Sequence, residues 1–252
     1  MKFLILFLLP FTCFSQDIDW HKYNQAAEKS VKIKKLKKPR SLFNISSSNG
    51  QLDVMCNPRW GCRGGISNWQ KGAKFKEQVR VKMVSWVSAG TAKKYFAPHK
   101  GQNKPYNTGS GHLWVTAFPQ VKKFCRSINS SNVKERIEQY LGLPPTGRKT
   151  HFVEVWVRPQ DLFRPCYDLE VYDTTCDYAP SRSISMGHKD WMKKTFASTY
   201  PAKGTKTPWT RLGFTYDWGN PGDPIGASEY VINLNSDIYV ESITPTGIYC
   251  AK

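Results

Sequence analysis

Between Phe152 and Arg158 the side chains alternate, with Val153, Val155 and Val157 on one face of an extended segment and Phe152, Glu154, Trp156 and Arg158 on the other. A period of two is that of a strand, and because neither face is purely polar the pattern predicts a central strand covered on both sides. Pro159 removes a ladder donor and fixes φ, which ends the strand at Arg158. The same alternation marks Phe75 to Val87, where Phe75, Val79, Val81, Met83 and Val87 oppose Arg80, Lys82, Val84 and Trp86. It recurs in His112 to Phe118, with Leu113, Val115 and Ala117 to one side, and in Thr210 to Trp218 ahead of a Gly/Pro loop. Tyr230 to Leu234 and Ile238 to Ile243 read as closing strands joined by a hairpin-like turn at Asn235, Ser236 and Asp237.

Three stretches carry helical spacing instead. Pro119 suits a first turn, and Val121, Phe124, Cys125 and Ile128 then form an apolar stripe. Asn132 caps a second helix, with Glu135 three residues on, Ile137, Tyr140 and Leu141 inward, and Gly142 and Pro144 ending it. A third runs from His188 to Thr199 and carries Trp191, Met192 and Phe196. Residues 51–252 are therefore expected to form a single α+β domain, an antiparallel or mixed sheet with about three packed helices.

Ahead of that domain, residues 16–50 are polar, with KIKKLKKPR at Lys32 to Arg40, and are expected to be a flexible basic leader. Lys2, the apolar run Phe3 to Phe14 and Ser15 have the layout of a secretory signal peptide over residues 1–15, too short to span a bilayer. No later run is long enough for a transmembrane segment, so the expected location is secreted or periplasmic. In that oxidising setting Cys56, Cys62, Cys125, Cys166, Cys176 and Cys250 are expected in disulfides. Nearness along the chain favours Cys56 with Cys62 and Cys166 with Cys176, leaving Cys125 for Cys250. Zinc-type ligand spacings are absent.

Charge adds a partner class. Lys and Arg number 27 against 7 Asp and Glu up to Thr150, and 10 against 12 from His151 onward, so the net +18 belongs to the first part of the chain. Such a field draws in polyanions, and acidic glycan is favoured over nucleic acid. The bland counterpart is a solubility charge on a mobile leader.

For acid–base chemistry the candidates are His112, His151, Glu154, Asp217 and Glu229, each on or beside a predicted strand that would aim it rigidly. His112 and His151 open consecutive predicted strands and are expected to share a sheet edge. Glu154 is expected to pair with Arg158, Arg164 or Arg211, or to hold a raised pKa. With Asp217 or Glu229 it would supply the two carboxyls of a glycosidase, whereas His112, Tyr216 and Arg211 would suit a lyase on an acidic glycan. Arg80, Lys82 and Trp86 share a face suited to a charged sugar, although such a face is commonly the wet side of a sheet. No cofactor is expected, apart from calcium at Asp168, Glu170, Asp173 and Asp177, whose spacing does not match an EF-hand loop. GxSxG, P-loop, HExxH and GxGxxG motifs are absent, which removes the usual support for serine hydrolases, nucleotide binders and zincins. The expected function is engagement of an anionic polymer, an acidic polysaccharide foremost, with cleavage as an extension; the alternative is a non-catalytic envelope module.

Overall fold

A computed structural model describes residues 12–33, 41–56, 69–176 and 184–252, with side chains from residue 19 onward. The helices are α1 (Thr12–Val31), α2 (Ala89–Thr91), α3 (Gln120–Ser127), α4 (Val133–Tyr140), α5 (Met186–Thr199) and α6 (Thr246–Tyr249). The strands are β1 (Val54–Cys56), β2 (Gln70–Lys71), β3 (Lys74–Phe75), β4 (Val79–Val87), β5 (Tyr106–Asn107) and β6 (Leu113–Ala117). They continue with β7 (His151–Val157), β8 (Leu162–Phe163), β9 (Phe214–Tyr216), β10 (Ile225–Ile232) and β11 (Asp237–Pro245). Nine of them form one antiparallel sheet in the order β5, β11, β7, β4, β6, β10, β8, with β1 also on β4 and β9 also on β10; β2 and β3 make a separate hairpin.

β7 is central, as its two apolar faces require: β4 and β11 flank it, and Phe152 to Val157 are all buried. The expected strand over 75–87 is divided, because Phe75 belongs to β3 and the main strand begins at Val79. The strand expected over 210–218 shortens to Phe214–Tyr216, since Arg211 and Gly213 take φ values of 59° and 73°, outside the extended region. α3, α4 and α5 are the three expected helices; six α-helices occur among the described residues. In α4 the Asn132 side chain accepts from the Glu135 N–H at 3.3 Å as the N-cap, and its amide donates to Glu135 Oε2 at 2.7 Å. Asn132→Ala is expected to lower stability by about 1 kcal/mol, read as a drop in Tm of roughly 2–4 °C.

The expected closing hairpin does not form. β10 has β6 and β8 at its edges and β11 has β7 and β5, so β6, β4 and β7 stand between two strands that follow each other in sequence. At about 4.8 Å per strand, a flat sheet would hold them roughly 19 Å apart, near the limit of what five fully extended residues reach. The link from Ile232 to Asp237 is not extended: Asn235 has φ 54° and donates its N–H to Gly109 O at 2.7 Å. The sheet therefore curls to bring the two strand ends together. Inside the curl lies a cluster drawn from all five strands, including Val81, Met83, Val115, Val155, Ile232 and Val240, and closed by Ile45, Trp69, Ala92 and Phe96.

On the outer face Val84, Trp86, Phe152 and Ala227 pack against Val121 and Cys125 of α3, Ile137 of α4 and Tyr249 of α6. The face holding Arg80, Lys82 and Trp86 is thus covered, where a wet face is the commoner outcome. Cys125 and Cys250 are disulfide-linked, tying α3 to the residue after α6, and Cys166 pairs with Cys176 as expected. Cys56 is also disulfide-bonded, while Cys62 lies outside the described residues.

The expected flexible leader is in part structured. α1 buries Tyr23, Ala26, Ala27 and Ser30, a helical stripe whose alanines and serine give too little hydropathy to stand out in the sequence. Tyr23 meets Trp218 edge-on at 5.9 Å, in a cluster with Phe214, Tyr216 and the Cys166–Cys176 pair. Residues 1–11, most of the expected signal peptide, and 34–40 lie outside the described residues. No helix among the described residues is long and apolar enough to cross a membrane.

Candidate functional site

A cavity of about 290 Å³ lies on the outer face, floored by β4, β6 and β10 and roofed by Leu141, Leu143 and Lys149 from the segment after α4. Strand register fixes its layout. Glu229 stands opposite Thr116, which faces Val84 on its other side; Trp114, two residues earlier on β6, stands opposite Val231. His112 comes two residues earlier again, about 13 Å along the strand from Thr116. Lys149 is at the same end as His112, because the following residue, Thr150, donates its N–H to Val87 O at the end of β4 at 2.9 Å. The polar groups thus stand at opposite ends, with Trp86, Trp114 and Phe152 between them.

The Glu229 end is closed. Thr215 Oγ1 donates to Tyr140 O at 2.7 Å and accepts from Ala227 N at 2.8 Å, and a Cβ on Gly226 would collide with Tyr140 O and Thr215. Only glycine allows that approach. Glu229 Oε2 is shut off from solvent without a hydrogen-bond partner, and burial pushes the carboxyl up to about 8, so at neutral pH it is largely protonated. At the other end burial lowers the Lys149 pKa, partly offset by the nearby Glu138 carboxyl. His112 Nδ1 is likewise buried without a partner.

His112 also lines a second, more open cavity of about 590 Å³ with Phe163, His188, Trp191, Asn233 and Leu234. The Trp191 ring lies 5.7 Å from His112, 6.1 Å from Trp114 and 5.4 Å from His188, on which it stacks. His188 Nε2 is 2.7 Å from Cys166 O, so that nitrogen carries the proton. Burial lowers the His188 pKa.

Of the sequence candidates, the fold brings His112, Glu229 and Trp86 to this cavity and leaves the others elsewhere. His151 does not share an edge with His112: β4 lies between their strands, and its register with Val87 turns it to the inner face. Glu154 is 6% exposed, 3.5 Å from Lys122 Nζ, and accepts from Ser242 Oγ at 2.9 Å; none of the three expected arginines is its partner. Its charge also raises the Tyr249 phenol, after the larger effect of burial. Asp217 is clamped by Arg136 through two bonds of 2.8 and 2.6 Å. Arg158 binds Asp161 and Glu77, Arg164 binds Asp173, and Arg211 donates to Val31 O at 2.8 Å. Arg80 is buried and donates to Glu77 O and Val79 O, and Lys82 pairs with Asp53 at 2.9 Å beneath the Phe118 and Trp156 rings. Tyr216 lines a separate cavity with Trp218 and Lys22, and burial raises its pKa.

Asp168, Glu170 and Asp173 each place a carboxylate oxygen within 4.8 Å of the others, a grouping able to hold a metal ion, while Asp177 lies outside the described residues. Asp173 accepts from Arg164, and Glu170 accepts from Tyr172 OH at 2.6 Å. That last bond is the main reason the Tyr172 phenol rises to about 12.

Lys149 and Trp114 are the cavity residues that sequence reasoning missed. Lys149 follows a Gly/Pro turn with no periodicity, and its one signal is a cation immediately before a buried strand. The basic excess, by contrast, has an exposed expression. Lys93, Lys94, Lys100 and Lys104 are exposed and make no ion pair among the described residues. Ala92 and Phe96 of the same segment pack into the inner cluster, which puts these lysines on the layer opposite the cavity. Comparison with protein-family models, curated proteins and solved structures found no match, so the reading of function rests on this geometry.

Proposed function

We propose that the protein is exported and engages an acidic polysaccharide, drawn in by its lysine-rich surface and held at the outer-face cavity. The observation that carries this reading is the cavity's composition: tryptophan and phenylalanine walls suited to a sugar ring, Lys149 and His112 at one end for an anionic group, and the protonated Glu229 at the other to donate to a ring hydroxyl or ether oxygen. The disulfides support an oxidising compartment. Binding is favoured over two-carboxylate hydrolysis, because Glu229 is the one acidic residue lining the cavity among the described residues, and Glu154 and Asp217 are held in ion pairs outside it.

Titration calorimetry of the purified chain with oligogalacturonate is expected to give saturable binding that Lys149→Met weakens by about tenfold or more. No heat with this or any sulfated or uronic-acid glycan overturns the proposal, and release of reducing ends would add catalysis to it. The surface lysines are tested separately. Replacing Lys93, Lys94, Lys100 and Lys104 together by Ser is expected to flatten the slope of log affinity against log salt for long polymer by about 2–3, at roughly 0.7 per lost contact. Monosaccharide affinity should stay unchanged. An unaltered slope would remove these lysines from the polymer contact.

A further inference from the structure

We infer that the two cavities meeting at His112 receive the end of the polymer chain: one terminal sugar enters the smaller cavity, blocked at its Glu229 end, and the units behind it lie along Trp191 in the wider one. The inference rests on the polysaccharide reading and adds to it a mode of binding. Its first support is size. About 290 Å³ is at the lower edge of the roughly 300–1,000 Å³ typical of ligand pockets, room for one ring and no more. The second is closure. A chain bound along its length needs an exit past Glu229, and that end is blocked by the Thr215 bonds to Tyr140 and Ala227 and by the close approach at Gly226.

The third support is continuity. His112 lines both cavities, and the wider one, about 590 Å³, is the direction in which space remains. Trp191 stands there within ring-contact distance of both His112 and Trp114, giving the second unit an aromatic surface beside that of the first. Leu234, 43% exposed, provides an apolar rim. The buried, unpartnered Nδ1 of His112 and Oε2 of Glu229 are polar atoms left without a protein partner at the two ends of the terminal-ring position.

The test uses oligogalacturonates of increasing length, each prepared free, capped at the reducing end, capped at the non-reducing end, and capped at both. Affinity, measured at high salt so that the exposed lysines are screened, is expected to rise from one unit to about three and then level off, and one of the two caps should weaken binding by about tenfold or more because the capped ring no longer fits. Leu234→Glu, an exposed change that adds repulsion at the open cavity, is expected to weaken the trimer several-fold and leave the monomer unaffected, with Trp191→Ala as a second variant. Equal binding of free and doubly capped chains, or affinity that keeps growing with chain length at high salt, overturns end recognition while leaving polysaccharide binding in place. Failure of every chain to bind overturns the underlying reading as well.

Discussion

Arg164→Met is expected to lower the stability of the native chain by about 3–5 kcal/mol, a fall in Tm of roughly 10 °C. The guanidinium has no exposed surface and donates to Thr175 O at 2.7 Å, to Val171 O at 3.3 Å, and to both the side chain and the carbonyl of Asp173. It therefore satisfies alternate carbonyls of the 171–175 segment, those of Val171, Asp173 and Thr175, in a stretch that the Cys166–Cys176 bond closes into a loop. Methionine fills most of the volume and replaces none of those bonds. Asp173→Asn isolates the charge: the Asp173 side chain is 30% exposed and can be hydrated, so about 1 kcal/mol is expected from its neutralisation. Urea unfolding of the two variants separates these terms. Equal losses would mean that the ion pair, and not the carbonyl web, holds the loop, and no loss in Arg164→Met would leave Arg164 without a structural role.

The second large effect depends on pH. Glu229 holds its proton more tightly when folded, with a pKa near 8 against the ordinary 4.5. Its contribution is complete below about pH 4.5, where folded and unfolded chains are both protonated, and is lost as pH rises toward 8 at up to roughly 1.4 kcal/mol per unit. The sum is on the order of 3–5 kcal/mol, with the lower figure favoured because Glu229 keeps some contact with the cavity's water. Glu229→Gln cannot ionise and is expected to remove this component of the pH dependence, so that the variant gains on the native chain by roughly 5–10 °C in Tm between pH 5 and pH 8. Parallel Tm profiles for the two proteins across that range would show that Glu229 is ionised in the folded state, and the proton-donor role assigned to it would fall.

Local rules made some elements legible from sequence. Alternation in β7 and the proline after it, and the Asn132 cap with its Glu135 partner, each need only neighbours within a few residues. α1 was hidden because its buried stripe is built from Ala26, Ala27 and Ser30 around a single tyrosine. The partner of β11 was hidden for another reason. A short link between two alternating runs usually means a hairpin, and nothing local reports that β7 and β5 already occupy the edges of β11. At the site the same limit applies: Glu229 and His112 are visible as polar residues on strands, whereas their assignment to one cavity depends on β6 pairing with β10 across more than a hundred residues of chain. Glu154 found Lys122 on α3 rather than an arginine near it in sequence. Pairing of charges across layers is set by packing, which alternation does not encode.

The place of β11 also bears on how the molecule is made. It runs from Asp237 to Pro245, next to β7, so the inner cluster lacks Ile238 and Val240 until the chain has been made through β11, after all the other strands of the sheet. A nascent chain without it leaves an edge of β7 unpaired, a surface prone to wrong associations. Completion of the inner cluster thus waits on translation of β11, a delay that keeps the partly made chain from closing its core around the first strands.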